Sequence, residues 1–412
     1  MNVALMIDDT VEIPPKNGVT ARFYNAAKHL LKYPGIHVFI ADRGGTEVAK
    51  MSQQGFRATI FPSKWLYDAE KFPLIASLFR EKNIKIIHVC NSHTMVPVYG
   101  FQLCNALNAS LVCDMHDIYA DLLPKDRKYD QARFNENLTQ RIVGKYADRV
   151  GVISRIDMER LASGVVDPQK MYWAPVGIES RETVRSKRDT QNVVFVGNMF
   201  YGPNYEAAKL ISKYISPAVK EECPNAIFSL IGNAPEDIAS LKNVVHLGPQ
   251  DDLAPHFNKA SVGLAPLNNG SGMKVKMLDY ASFGLPVVGT TIAAMGYEEN
   301  DGFIITDDYP TFVSQIVGLL KSPQLAQERG KAGKEYIDRN FSWYSIVQRQ
   351  YQVYCDLYQE HLGRSSPVSI PFKLSASGHV EVNGFLLEKP QHLAEERYQM
   401  VQHLQKEMIL RL

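Results

Sequence analysis

Residues 261–290 read SVGLAPLNNGSGMKVKMLDYASFGLPVVGT. A short apolar run comes first, then an Asn-Asn-Gly-Ser-Gly turn, a stretch with helical periodicity, a glycine and a second apolar run. Met273, Met277 and Ala281 recur every fourth residue and form a packing stripe. Gly284, ahead of Leu285-Pro286, ends that helix at its C′ position. Apolar strands that alternate with helices in this way indicate a parallel sheet buried on both faces.

The same order recurs along the chain. NVALMI, HVFIAD, KIIHVC, SLVCDM and RVGVIS mark strands in the first part; VVFVGN, AIFSLIG, VVHLG, SVGLAPL, LPVVGT and FIIT mark them in the second. The fold class expected is therefore α/β, with two Rossmann-like doubly wound parallel-sheet domains facing a cleft. A chain of 412 residues also exceeds what one core usually organises. The seam falls in APVGIESRETVRSKRDTQN, residues 174–192, where a charged, core-poor stretch precedes a fresh β-run. The expected domains are 1–180, completed by a closing helix over 341–360, then 181–340, and an extension over 361–412. In the closing helix Trp343, Ile346, Val347, Tyr351, Tyr354 and Leu357 share one face. The extension opens with a linker, GRSSPVSIP, and offers HVEVNGFLLE as an Asn-Gly hairpin. It ends in an amphipathic helix from Leu393 to Leu410, read as a docking or homodimer element, with peripheral membrane contact as the alternative.

Composition narrows the partners. Lys and Arg total 45 against 44 Asp and Glu, so there is no global field to steer nucleic acid or anionic membrane. Five cysteines, an odd number without a CxxC, sit mostly in apolar runs and read as reduced thiols. The N-terminal NVALMI is too short for a signal h-region and meets Asp8 and Asp9 at once, and no apolar run approaches the ~20 residues of a membrane span. A cytoplasmic protein is expected, with the inner face of the membrane as a peripheral location.

The turn in the opening stretch carries the chemistry. Glycines free backbone N–H groups where a helix begins near Met273, and such N-termini favour anions. Lys274 and Lys276 add full positive charge there, a combination suited to a diphosphate. Asp279 lies one turn inside and can accept hydrogen bonds from vicinal hydroxyls, as acidic residues do for ribose in dinucleotide folds. The implied ligand is a nucleoside diphosphate; an exposed Lys/Asp pair capping a helix would satisfy the same spacing.

The stretch GSGMKVKMLDYASFGLPVVGT resembles the retaining GT-B glycosyltransferases of family four (glycosyl transferases group 1), in the branch reading roughly GxxxKxKxLEAMAxGxPVVST. FVGNMFYGPNYEAAKLI, FSLIGNAP, VVHLGPQDDLAPHFNKASVGLAPL and FSWYSIVQRQY extend the resemblance through the second half. NGVTARFYNAAKHLLK and ADRVGVISRIDMERL extend it through the first, so that it covers approximately residues 1–358. Two departures stand out. Family members carry two glutamates separated by seven residues, whereas here Asp279 holds the second place and Ser271 falls at the first. The NG dipeptide usual before the seam is Val176-Gly177.

The resemblance implies a glycosyltransferase that moves a hexose or deoxyhexose, with retention, from a nucleoside diphosphate donor to a glycan or lipid-linked acceptor in surface polysaccharide synthesis. Carried over by position, Gly18, Gly197, Asn198, Asn204, Ser271, Gly272, Lys274, Lys276 and Asp279 would bind the donor. Lys274 and Lys276 would also stabilise the departing diphosphate. His116 in DMHDIYADLLP would be the first-domain histidine near the donor sugar, with Asp117 orienting its ring or binding acceptor; His88 and His93 in IIHVCNSH are its rivals. Asn17 and Thr20 belong to the glycine loop, and Arg22 reads as a solvated helix residue.

No hydrophobic-flanked Asp-x-Asp is present to hold a divalent ion under a diphosphate, and no His/Cys cluster suits zinc. Independence of metal and of any further cofactor is expected. No Gly-x-Gly-x-x-Gly follows either opening strand, against a nicotinamide enzyme. Two other readings stay open: a nucleotide-sugar 2-epimerase with twin domains, and a non-catalytic sugar-nucleotide-binding protein of the same fold.

Overall fold

The computed structural model describes residues 1–15, 18–90, 96–115, 127, 130–179, 191–270, 273–362, 372–374, 380–382 and 385–387. The chain divides into two compact units. One is Met1–Gly177 with Ile346–Arg397; the other is Ile178–Ser345 with Tyr398–Leu412.

The first unit is built on seven parallel strands: β1 (Val3–Asp8), β2 (Ile36–Asp42), β3 (Thr59–Pro62), β4 (Ile86–Val89), β5 (Ser110–Met115), β6 (Arg149–Val152) and β7 (Met171–Trp173). Their order across the sheet is β3-β2-β1-β4-β5-β6-β7. Val3 faces Ile36 of β2 on one side and Ile86 of β4 on the other. Every residue of β1 is buried, and alternate side chains serve opposite faces, as strand geometry requires. Ala4 and Met6 join a cluster with Phe39, Phe79 and Phe101, while Val3, Leu5 and Ile7 join another with Phe23, Ile40 and Met51. The Trp343–Leu362 helix closes this second layer with Val347, Tyr354 and Leu357, and stacks Tyr351 on Tyr33 with ring centroids 4.3 Å apart. Its apolar face is the one that the spacing of these residues predicts.

The second unit carries six parallel strands: β8 (Asn192–Val196), β9 (Ile227–Ile231), β10 (Val245–His246), β11 (Val262–Ala265), β12 (Val287–Gly289) and β13 (Phe303–Ile305). Their order is β10-β9-β8-β11-β12-β13. The quoted stretch becomes β11, the Val275–Ser282 helix and β12. Gly284 takes φ +63°, the left-handed value that a helix-ending glycine adopts without a Cβ penalty.

Both sheets are doubly wound. The strand order turns back between β1 and β4 in the first unit and between β8 and β11 in the second. In open α/β sheets ligands sit beyond the carboxyl ends of the strands at such a switch point.

The remaining strands, β14 (Phe372–Leu374), β15 (Val380–Val382) and β16 (Phe385–Leu387), make a small antiparallel sheet. Val382 pairs with Phe385, as the hairpin read from the sequence requires, while its Asn383-Gly384 turn lies outside the described residues. The amphipathic segment Leu393 to Leu410 lies outside the described residues. All five cysteines are free, and burial pushes the Cys104 and Cys113 thiols well above their usual range. Among the described residues no helix is long and apolar enough to cross a membrane.

Candidate functional site

Lys276 and its surroundings occupy the switch point of the second sheet. Gly197 and Asn198 follow β8 directly, and the 266–270 turn follows β11, the strand beside it. The Val275–Ser282 helix then starts with Lys274 as its N-cap, in extended backbone at φ −91° and ψ +93°. Lys274 holds that position through its carbonyl, which accepts the Met277 N–H at 2.9 Å and the Tyr297 hydroxyl at 2.9 Å.

Inside the helix Tyr280 anchors it to the sheet. Its hydroxyl accepts the Val196 N–H at 2.8 Å, at the carboxyl end of β8. The ring has no exposed surface and lies against Gly263 of β11, where a Cβ would come within 2.5 Å of it. Only glycine leaves room for the helix to approach the sheet this closely. The first turn of the helix is thereby set across the ends of β8 and β11.

One turn back toward the N-terminus, Lys276 bends inward. Its Nζ donates to Asn204 Oδ1 at 2.7 Å and sits 4.0 Å from the centroid of the Phe195 ring. Asn204 belongs to the Gly202–Leu210 helix, and its Nδ2 donates to the Asn198 carbonyl at 3.0 Å. Burial pushes the Lys276 ammonium down to about 7, and the charge of Lys274 pushes the same way, against the opposing pull of Asp279. The desolvation loss dominates because a charge over a ring and a neutral amide replaces hydration only in part. Asn269 Nδ2 donates to Glu206 at 2.7 Å and ties the turn after β11 to the same helix.

Seven of the residues expected to bind a donor are described. Gly197, Asn198, Asn204, Lys274, Lys276 and Asp279 gather within this unit at the ends of β8 and β11; Gly18 is the first residue of the Gly18–Leu30 helix in the other unit. Ser271, Gly272 and His116 lie outside the described residues, as do Asn17, His93 and Asp117. Among the described residues no group of three or more His, Cys, Asp or Glu side chains could hold a metal ion.

In the first unit Arg22 departs from its reading as a solvated helix residue. It is buried, with Nη1 3.0 Å from Asp114 Oδ2 and Nη2 donating to the Ala174 carbonyl at 2.6 Å. The long apolar face of its helix turns it toward the sheet, and Asp114 on β5 supplies the opposite charge. His88, the described rival of His116, has no exposed surface. Its Nε2 is 3.1 Å from Asp114 Oδ1, and its Nδ1 is 2.6 Å from the Tyr354 hydroxyl and 2.9 Å from Gln350 Nε2. A ring so enclosed pins the Trp343–Leu362 helix and cannot touch a ligand in this conformation.

Sequence reasoning missed Asp114 and Gln350 and read Tyr354 only as a packing residue, although all three join in that network, and it missed Phe195 and Tyr280 in the second unit. Gln350 and Tyr354, four residues apart on an otherwise apolar helix face, carried the available signal. Phe195 carried none, since it reads as one more apolar strand residue.

Residues 190–322 match the family model described as glycosyl transferases group 1. An uncharacterised 44.6 kDa protein in the cps region of Klebsiella pneumoniae is 24% identical over 253 residues. That match takes in 57% of this chain, and the chain spans 60% of the length of that curated relative. HepE of Anabaena, solved in complex with UDP, superposes with a TM-score of 0.66 over 86% of this chain and 100% of its own, at 14% identity. A glycosyltransferase from Rickettsia africae superposes with a TM-score of 0.64 over 88% of this chain and 99% of its own, at 13% identity. Such identities speak for the fold alone. Residues 190–322 thus resemble the glycosyl transferases group 1 family, in a chain whose fold of two doubly wound parallel-sheet units matches that of solved glycosyltransferases.

Proposed function

We propose that this protein is a retaining glycosyltransferase that moves a hexose or deoxyhexose from a nucleoside diphosphate donor to a glycan or lipid-linked acceptor, in surface polysaccharide synthesis. The observation that carries the reading is the position of Lys276, held by Asn204 at the ends of β8 and β11 where the strand order reverses. The complexes of HepE with UDP and with UDP-glucose, and the cps region of the Klebsiella relative, support the substrate class and the setting.

In this proposal Lys274 and Lys276 meet the diphosphate, and Asp279 holds the ribose hydroxyls. As the glycosidic bond breaks, negative charge grows on the diphosphate, and fixed cations beside a helix N-terminus stabilise it without reorganising. Each charge-assisted contact is worth roughly 1.5–3 kcal/mol. His116 is assigned from its sequence position alone as the first-domain histidine that serves the donor sugar. No metal ion takes part, so EDTA should leave transfer intact; loss of activity that manganese restores would count against that step.

The test is a panel of nucleotide sugars incubated with the full chain and followed by mass spectrometry. Release of one nucleoside diphosphate with transfer to an added acceptor is the expected result. Conversion of the donor to an isomer without acceptor would identify an epimerase instead, and no turnover of any donor would leave a binding protein. Replacing Lys274 and Lys276 together with alanine should lower nucleoside diphosphate affinity by at least about a hundredfold in calorimetry, near 2.7 kcal/mol.

A further inference from the structure

Lys276 is not simply a basic residue near a helix start. Its Nζ is gripped from one side by Asn204 Oδ1 at 2.7 Å and from another by the Phe195 ring at 4.0 Å. Asn204 is itself fixed. Its Nδ2 donates to the Asn198 carbonyl at 3.0 Å, and its side chain packs so tightly on Gly197 that a Cβ there would lie 2.7 Å from Nδ2. Because the amide nitrogen is committed to a carbonyl, only the amide oxygen can face the lysine, so the polarity of the contact is set by the backbone after β8.

We propose that Asn204 is a positioning residue for Lys276, holding its amine at the switch point of the second sheet as a neutral acceptor that aims the group without neutralising it. A carboxylate at the same place would clamp the ammonium as an ion pair and compete with any incoming anion. An amide leaves the charge to be satisfied by the ligand. The inference rests on the phosphate role proposed above for Lys276.

The surroundings agree with this division of labour. The charged groups acting on Lys276 are Lys274 and Asp279 of its own helix. From β8 comes the Phe195 ring, and from the Gly202–Leu210 helix comes Asn204, while Glu206 of that helix binds Asn269. Burial and Lys274 hold the Lys276 amine to about 7. Near neutral pH the amine is poised to take up a proton as an anion arrives.

Two readouts on the full chain test the proposal. The titration of the Lys276 amine is followed by competitive acylation and mass spectrometry, and the affinity for inorganic pyrophosphate by calorimetry. Asn204→Asp should move the titration up by about one pH unit or more and weaken pyrophosphate binding above pH 7. Asn204→Leu, close in volume, should weaken pyrophosphate binding about tenfold, and add nothing in a Lys276→Ala background. Asn204→Ser, with thermal melting as the folding control, serves if either variant is unstable and should weaken binding in the same way. A titration unmoved by Asn204→Asp, or an Asn204→Leu loss that persists undiminished without Lys276, overturns the positioning role. If Lys276→Ala leaves pyrophosphate affinity intact while Asn204→Asp still moves the titration, Asn204 positions the amine and the phosphate reading of the site is what fails.

Discussion

Lys276 carries two opposed demands in one side chain. Its amine loses its proton near 7 when folded but near 10.5 when exposed, so the unfolded chain binds more protons between those values. Stability therefore rises with pH across that window, and the cost of burying the charge is fully present below pH 7. Lys276→Met removes this cost while filling the space over Phe195. At pH 6.5 the variant should melt higher than the parent, by about 2–4 °C for each kcal/mol relieved; by pH 10.5 the gap should close. Under the phosphate role proposed for Lys276, the same variant should also lose nucleoside diphosphate binding. A bound phosphate should also pull a proton onto the amine, so calorimetry at pH 8 in buffers of different ionisation enthalpy should register proton uptake on binding. The helix start that carries the two lysines and Asp279 was legible from spacing alone. The depressed amine was not, since it depends on a strand phenylalanine and a helix asparagine distant in sequence that only folding brings together.

The helix Val275–Ser282 and its two flanking strands were the most readable element, because period, turn and terminating glycine all agree there. What fixes its height above the sheet was hidden. Tyr280 looks like one more member of the apolar stripe, yet its hydroxyl accepts the Val196 N–H. Burial drives its pKa upward, with the neighbouring Asp279 adding to the shift, so the phenol stays neutral across the working range. Tyr280→Phe leaves that N–H facing an apolar edge, at a cost of about 1–3 kcal/mol. Urea denaturation should show the loss, and faster amide exchange at Val196 should locate it. Gly263→Ala attacks the same packing from the other side. Its methyl would meet the Tyr280 ring, lift the helix and lower nucleoside diphosphate affinity along with stability.

At the scale of the molecule, the alternation of apolar runs and helical stretches made two doubly wound sheets legible, since each buried strand announces itself. The polar interior of the first unit was not legible, because it is assembled from a helix, three strands and the closing helix. Asp114 there meets Arg22 and His88, and accepts the Tyr172 hydroxyl at 3.2 Å, while Gln350 and Tyr354 complete the network. Asp114→Asn would leave the Arg22 charge buried without its counter-ion, and a loss of about 3–5 kcal/mol is expected. A chain ended after Leu362 should keep its cooperative melting transition. One ended at Ser345 lacks Val347, Tyr354 and Leu357 from the first unit's core, and should bind a hydrophobic dye and keep a cooperative transition for the second unit alone.

The interrupted course of the first unit has a consequence for how the chain is made. The segment from Ile178 to Ser345 is continuous and can collapse as soon as it leaves the ribosome, whereas the amino-terminal sheet, although synthesised earlier, waits for Val347, Tyr354 and Leu357 to cover one of its faces. Birth order and completion order are thus reversed: the half translated first is the half finished last, and through that interval it is the nascent chain's exposed flank for chaperones.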